Sequence, residues 1–179
     1  MARRSSPKMK LVLSQDEISR RVQELAQEIS KDLGDRELVV VCILKGAFIF
    51  TADLVRSLSM PVRLDFVRLK SYLDGTSSSG QVTITKDVES EIMLKDKNVL
   101  VIEDIVDTGL TLSFLKDHLV QHKPAAVKIC ALIDKTERRE RHVDVDYVGF
   151  EVAKGFLVGY GLDNNEEYRY LPDVYEIVT

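Results

Sequence analysis

The stretch from Val99 to Leu112, VLVIEDIVDTGLTL, joins an aliphatic run to two adjacent acids and then to an Asp-Thr-Gly turn. The first four residues show no polar alternation, which is typical of a central strand covered on both faces of a parallel sheet. Ligands of such sheets bind beyond the carboxyl ends of the strands. Glu103 and Asp104 follow the predicted strand, so their carboxylates are candidates for binding a sugar diol or a ligand-borne magnesium ion.

The turn after the two acids has the composition of a phosphate cradle, with Asp107, Thr108, Gly109, Leu110 and Thr111 in sequence. A helix that begins here directs free backbone N–H groups and a partial positive charge at the turn. Glycine permits close approach of the backbone, and the threonine hydroxyls add donors. Aspartate and threonine are also good helix N-caps, so the turn alone equally fits a helix start without a ligand.

The bulk properties fit one soluble domain of 179 residues with a formal charge of −4. Charges of both signs are interspersed, which argues against a broad basic surface for nucleic acid or membrane. No window approaches the roughly 20 apolar residues of a membrane helix, and no signal peptide is visible, so a cytoplasmic protein is expected. Residues 1–10 are expected to form a disordered basic arm.

The cysteines and histidines show no metal-ligand spacing. Cys42 and Cys130 each lie within an apolar strand pattern, which predicts buried free thiols in a reducing compartment rather than a disulfide. His118, His122 and His142 are interpreted as structural.

Strand and helix patterns alternate along the chain, which predicts an α/β fold with a parallel twisted sheet flanked by helices. Ser14 and Glu17 form a capping box that opens an amphipathic helix ending at Gly34. The predicted strands are 38–44, 62–69, 82–85, 92–94, 99–102, 127–133 and 145–152. Two further helices are expected. One begins after residue 47 and ends before Pro61, and the other runs from the Asp-Thr-Gly turn to about His122.

Two acids followed by D-T-G-x-T after an apolar strand closely resemble the phosphoribosyl-diphosphate motif of the type I phosphoribosyltransferases. The resemblance implies that family's fold, with a small hood built from the chain ends. It also implies ribose and phosphate contacts from Glu103, Asp104 and the turn 107–111. Asp107 matches the family's general base at purine N7.

A second turn, Leu44-Lys45-Gly46-Ala47, follows its own apolar strand. By itself it fits an ordinary strand-to-helix connection. In the 6-oxopurine members of the family a similar L-K-G turn binds pyrophosphate, with a cis peptide before the lysine. The resemblance therefore implies pyrophosphate contacts from Lys45 and Gly46, and Arg169 matches an arginine that meets pyrophosphate.

The purine contacts are implied by two further matches to the 6-oxopurine enzymes. Lys135 matches the lysine that donates to the purine O6. The segment 156–163, FLVGYGLD, is similar to the family's F-V-V-G-Y-x-L-D. The match implies that Phe156 stacks on the base and that Leu157 and Asp163 read the edge of the base. It also implies that Asp163 helps Glu103 and Asp104 to place Mg²⁺. Without the resemblance these residues fit a solvated lysine, a core strand and a turn. Residues 152–155, VAKG, depart from the commoner family pattern.

Residues 71–81, SYLDGTSSSGQ, break every secondary-structure pattern. Their position between strands of a compact domain favours an active-site lid over a plain connector. The opening pair Ser71 and Tyr72 resembles the start of the family's flexible loop.

The resemblance spans roughly residues 38–171 and implies a purine salvage enzyme. Such an enzyme joins hypoxanthine or guanine to 5-phosphoribosyl 1-diphosphate with Mg²⁺, releases pyrophosphate, and forms a homodimer or homotetramer. A phosphoribosyl-diphosphate-sensing regulator that binds nucleic acid is the alternative, although it usually needs a basic face. A uracil or adenine enzyme of the same fold is disfavoured by Lys135 and the segment 156–163.

Overall fold

The computed structural model describes residues 7–34, 36–72, 81–89 and 94–178. A six-stranded sheet forms its centre, and a three-stranded sheet lies apart from it. The elements in chain order are β1 (Lys8–Leu13), α1 (Gln15–Leu33), β2 (Leu38–Leu44), α2 (Phe48–Ser57), β3 (Val62–Tyr72), β4 (Gln81–Lys86), β5 (Asn98–Val106), α3 (Leu110–Val120), β6 (Ala126–Asp134), β7 (Tyr147–Glu151), β8 (Leu157–Val158) and β9 (Val174–Val178).

The central sheet has the order β4-β3-β2-β5-β6-β7, and only β4 runs antiparallel to its neighbour. Successive residues of β2 face opposite sides, so Val40 packs in the cluster with α1 and α2 whereas Val41 packs in the cluster with α3. Both faces of the central strands are thereby covered. This confirms the predicted α/β class with helices flanking a largely parallel sheet.

Helix α1 follows its sequence pattern closely. Ser14 and Glu17 form the reciprocal capping box, and Gly34 ends the helix with a φ of +60°. The apolar residues at helical spacing are all buried: Ile18, Val22, Leu25, Ile29 and Leu33. Their side chains anchor the helix on the sheet, which fixes the position of β2 and the turn that follows it.

The separate sheet has the order β1-β9-β8 and is built from residues near both chain ends. Lys8–Leu13 pairs antiparallel with β9. The expectation of a disordered arm is therefore wrong for residues 8–10, because pairing with β9 satisfies their backbone groups; residues 1–6 lie outside the described residues. The expected hood is present, and it carries the segment that begins at Phe156.

Several predicted boundaries differ from the structure. β3 continues through Ser71 and Tyr72 and β4 begins at Gln81, so both ends of the predicted loop 71–81 lie in strands. β5 continues to Val106, because its backbone stays paired with β6 beyond the aliphatic run. α3 ends at Val120 rather than near His122, and β7 is shorter than predicted. Leu94 is not in a strand, and the rest of the predicted strand 92–94 lies outside the described residues.

Within the described residues no helix is both long and apolar enough to cross a membrane. Cys42 and Cys130 are free, buried thiols, as predicted. Burial raises the pKa of the Cys42 thiol to about 11, so the thiol stays protonated near neutral pH.

Candidate active site at the carboxyl edge of the sheet

The two adjacent acids lie within β5 rather than after it, because the strand extends to Val106. This corrects their predicted position at the strand end. Glu103 is only 8% exposed, and the backbone N–H of Asp104 donates to its Oε1 over 3.3 Å. The Asp104 carboxylate accepts the N–H of Ile105 at 2.8 Å. Local backbone donors thus hold both carboxylates beside the sheet edge.

Burial raises the pKa of Glu103 well above its ordinary value, and the negative charge of Asp104 adds to the effect. Burial likewise raises the pKa of Asp104, while the guanidinium of Arg169 acts in the opposite direction. Ionising this pair without a nearby cation is costly. The site therefore favours a ligand that brings positive charge, such as a metal-bound sugar phosphate.

The turn after β2 packs directly against Asp104. A Cβ atom at Gly46 would lie 1.6 Å from Asp104 Oδ2, so a larger residue there would displace the Asp104 carboxylate. The peptide bond between Leu44 and Lys45 is cis, as the resemblance implied. The turn therefore brings its backbone into contact with the acidic pair from the neighbouring strand.

The segment after β8 reaches the same place from the hood. Gly161 has a φ of +101°, and a Cβ atom there would lie 2.1 Å from the carbonyl oxygen of Gly46. The Arg169 guanidinium donates to the Gly161 carbonyl at 2.7 Å and pairs with Asp163 at 2.7 Å. The structure thus brings together three predicted groups: the acids of β5, the turn after β2 and the loop 161–169.

Two of the predicted cations share an exposed carboxylate that sequence reasoning missed. Glu166 Oε2 lies 2.8 Å from Lys45 Nζ and 3.5 Å from a terminal nitrogen of Arg169. The hydrogen bond from Lys45 lowers the pKa of Glu166, so the glutamate is charged at neutral pH. Glu166 therefore offsets the charge of Lys45 and, over a longer distance, part of the charge of Arg169, which also pairs with Asp163.

The Asp-Thr-Gly turn leaves β5 and enters α3 through Gly109, which has a φ of +81°. Asp107 Oδ1 is buried and has no hydrogen-bond partner within the described residues, while Oδ2 lies 3.5 Å from a terminal nitrogen of Arg138. A cavity of about 90 Å³ is lined by this turn and its neighbours: Glu103, Ile105, Val106, Asp107, Thr108, Gly109, Thr111 and Leu112. The turn thus combines an unsatisfied carboxylate oxygen with a small polar cavity.

The predicted purine residues differ in exposure. Lys135 follows β6 and is only 7% exposed, with Nζ 3.7 Å from Glu137 Oε2. Phe156 is 54% exposed, whereas Leu157 is buried in β8. A buried ammonium with one distant carboxylate differs from the solvated lysine that the sequence alone favours, and it can donate to a ligand acceptor.

The predicted metal residues do not form a three-ligand cluster. Among the residues that the structure describes, no group of three or more His, Cys, Asp and Glu side chains could hold a metal ion. The Asp163 carboxylate is engaged by Arg169 and by the backbone N–H of Glu166 at 2.8 Å.

Ser71 and Tyr72 end β3, and residues 73–80 of the predicted lid lie outside the described residues.

A larger cavity lies elsewhere. Its volume is about 540 Å³, and it is bordered by α1, α2 and the segment 170–172. Its lining includes Asp53, which accepts the hydroxyl of Tyr160 at 2.7 Å. It contains neither the acidic pair nor the glycine turn. The candidate active site is therefore the smaller cavity, which is lined by Glu103 and the turn after β5.

Replacing Glu103 by glutamine should stabilise the protein without ligand. The substitution removes a buried charge and keeps the carbonyl that accepts the Asp104 N–H, so the free energy of unfolding should rise by about 1 kcal/mol or more above pH 7. The raised pKa means that the native state holds the proton more tightly than the unfolded state. The glutamate's contribution to stability therefore falls as pH rises above the ordinary value of 4.5.

Denaturant unfolding of the parent and Glu103→Gln at a series of pH values measures this difference. The difference should grow with pH, and Glu151→Gln, at an exposed position, serves as the control. A variant no more stable than the parent at pH 8 would contradict a costly buried charge.

Comparisons with known proteins identify the family of this chain. A family model for the phosphoribosyl transferase domain matches residues 11–165. The chain is 48% identical to hypoxanthine-guanine phosphoribosyltransferase of Aquifex aeolicus over 171 residues, which cover 95% of each chain. It is 40% identical to hypoxanthine-guanine phosphoribosyltransferase of Bacillus subtilis over 163 residues, which cover 91% of this chain and 89% of the relative. A crystal structure of a hypoxanthine-guanine phosphoribosyltransferase from Bacillus anthracis superposes with a TM-score of 0.91 at 43% identity, covering 97% of this chain and 100% of the other. This chain therefore belongs to the phosphoribosyl transferase domain family.

Proposed function

We propose that this protein transfers the 5-phosphoribosyl group of 5-phosphoribosyl 1-diphosphate to hypoxanthine or guanine and releases pyrophosphate. The observation that carries the proposal is the meeting of Gly46, Asp104 and Gly161 at one sheet edge, beside the turn 107–109. A sugar diphosphate has a diol and two separate anionic groups. The acids at this edge match the diol, and the N–H-rich turn and the two cations match the two anionic groups.

In this proposal the turn 107–111 binds the 5′-phosphate, and Glu103 and Asp104 accept hydrogen bonds from the ribose hydroxyls. The bond from ribose C1 to the pyrophosphate oxygen breaks, and its electron pair leaves with the pyrophosphate. The two carboxylates then stabilise the oxocarbenium-like transition state. A purine nitrogen forms the new bond to C1, while the purine loses one proton.

Asp107 is the proposed acceptor of that proton, at purine N7. Its Oδ1 is buried and lacks a hydrogen-bond partner among the described residues, so the carboxylate has acceptor capacity that the protein itself does not use. Lys135 is the proposed donor to the purine O6. An ammonium has donors and no acceptor, so it pairs poorly with the amino group of adenine. Phe156 would stack on the base, with Leu157 and Asp163 at the base edge.

Magnesium fits this site as an ion carried by the substrate. Mg²⁺ is commonly held by one or two carboxylates together with substrate phosphates. The buried pair Glu103 and Asp104 offers such carboxylates, and a cation would offset the cost of ionising them. When bound, the ion would neutralise charge on the departing pyrophosphate. Asp163 would join this set only by leaving its ion pair with Arg169.

Lys45, Gly46 and Arg169 are the proposed pyrophosphate contacts. Because Glu166 pairs with Lys45 and lies near Arg169, Glu166→Gln should tighten pyrophosphate binding by about two- to fivefold, the range expected for exposed ion pairs. The inhibition constant of pyrophosphate measures this effect. Glu167→Gln removes the same charge from the next exposed residue and should leave the constant unchanged. Equal constants in parent and Glu166→Gln would show that Glu166 does not compete with pyrophosphate.

The proposal includes self-association into a homodimer or homotetramer. Large apolar side chains remain exposed on α2 and β3, including Phe48 at 44% and Leu64 at 37%. Exposed apolar area of this kind is typical of protein interfaces. Sedimentation velocity across a range of concentrations tests this part, and a monomer at all of them would contradict it.

A panel of bases tests the proposed function. With Mg²⁺ and 5-phosphoribosyl 1-diphosphate, turnover of hypoxanthine or guanine should far exceed that of adenine and uracil. Turnover of xanthine beside the other 6-oxopurines defines the preference within the class. Salt-dependent binding of nucleic acid without turnover of any base would favour a regulator instead.

A further inference from the structure

The segment 139–141, after β6, holds the backbone of the turn 106–109. The Thr108 carbonyl accepts the N–H groups of Glu140 at 3.0 Å and of Arg141 at 2.9 Å. Arg139 Nε donates to the Asp107 carbonyl at 3.0 Å, and one of its terminal nitrogens lies 3.3 Å from the Val106 carbonyl. Three consecutive carbonyls of the turn are therefore bound to one short segment.

The guanidinium of Arg139 is also fixed from the β6 side. It pairs with the Asp134 carboxylate, and the same terminal nitrogen lies 3.4 Å from the Lys135 carbonyl. Its side chain is only 19% exposed, so water competes weakly for these bonds. Arg139 thus joins the end of β5 to the end of β6 and to the backbone of the proposed O6 donor.

Binding these carbonyls has a geometric consequence for the turn. The peptide bonds from Val106 to Gly109 are trans, and a trans peptide directs its C=O and N–H to opposite sides. Holding the carbonyls toward segment 139–141 therefore directs the N–H groups of Asp107, Thr108 and Gly109 away from it. Such a row of N–H groups forms an anion-binding concavity.

Segment 139–141 also closes the space behind Gly109. A Cβ atom at Gly109 would lie 2.3 Å from the Arg141 carbonyl oxygen, so the two backbones are in direct contact. The turn cannot shift toward the segment. Its N–H groups are consequently preorganised before a ligand arrives, which lowers the cost of binding an anion.

We infer that Arg139 is a positioning residue that presets the backbone N–H groups of the turn 107–109 for a sugar 5′-phosphate. This inference rests on the proposed function and adds a residue to it. Arg139 acts through the turn and does not touch the substrate. Its planar fork supplies donors in fixed directions, which the single ammonium of lysine does not reproduce.

The test compares a nucleotide with its nucleoside, since the two ligands differ only in the 5′-phosphate. The dissociation constants of inosine 5′-monophosphate and inosine are measured by calorimetry for the parent, Arg139→Met and Arg139→Lys. The nucleotide preference should fall about tenfold or more in both variants, because a misplaced binding group can cost up to about 10²-fold. Arg20→Met removes the same charge from an exposed position on α1 and should keep the parent's preference.

A merely structural role would weaken both ligands equally and leave their ratio unchanged, which would overturn the inference. Thermal unfolding identifies a variant that fails to fold. If Arg139→Met does so, Arg139→Lys decides, and the parent's ratio in that variant overturns the inference. A parent protein that shows no preference for the nucleotide would instead overturn the proposed function, and the role of Arg139 with it.

Discussion

Replacing Asp107 by asparagine should lower turnover by about 10²-fold or more, since a general base contributes roughly 10²- to 10⁴-fold. The amide keeps the shape of the side chain but does not accept a proton at neutral pH. Substrate affinity should change far less, because the backbone of the turn is held by Arg139 and by segment 140–141 rather than by the Asp107 carboxylate. Steady-state kinetics that separate kcat from KM measure the effect.

Two controls make this result interpretable. Arg138→Met removes the cation 3.5 Å from Asp107 Oδ2 and keeps the base, so its effect on turnover should be much smaller. Pre-steady-state measurement establishes whether chemistry or product release limits the parent. An unchanged rate of the chemical step in Asp107→Asn would remove Asp107 from the role of general base.

Replacing Lys135 by alanine should reduce kcat/KM for hypoxanthine and guanine by about 10- to 10²-fold, because the purine O6 would lose a charged donor in a buried site. Turnover of adenine should change little, so the gap between 6-oxopurines and adenine narrows. Folding stability should be retained. Among the residues that the structure describes, the buried ammonium pairs with one carboxylate, 3.7 Å away, so its removal relieves a desolvated charge.

Measuring the thermal midpoint together with turnover of each base separates a structural role of Lys135 from its proposed role as donor to the purine O6. Lys154→Ala removes a lysine from an exposed position and serves as the control. If Lys135→Ala unfolds early, or discriminates against adenine as well as the parent does, Lys135 is not the reader of O6.

The fold could be predicted where side-chain burial determines the pattern. The aliphatic run of β2 was predicted with its observed bounds, and the buried face of α1 follows the helical spacing. The end of β5 could not, because Glu103 and Asp104 are polar residues that nevertheless remain in a strand. Pairing with β6 holds them there, and this pairing joins distant parts of the chain.

The candidate site, like the fold, could be predicted where it depends on local sequence motifs. Short local motifs marked the turns after β2 and β5. Gly46 of the first turn lies against the Asp104 carboxylate, and Gly109 of the second lies against the Arg141 backbone. Arg139 and Glu166 were missed, because their partners lie about 30 and 120 residues away in sequence. Residues 135–142, KTERRERH, are rich in charge, which is typical of a solvated surface turn, and only the folded chain shows their contact with the turn 107–109.

The most direct test of the central claim follows the products of one reaction mixture over time. Hypoxanthine, 5-phosphoribosyl 1-diphosphate and Mg²⁺ are incubated with the protein, and inosine 5′-monophosphate and pyrophosphate are quantified together. The account predicts that both form in a one-to-one ratio with the hypoxanthine consumed. Hypoxanthine that remains unchanged while 5-phosphoribosyl 1-diphosphate binds, or pyrophosphate released without nucleotide, would contradict it.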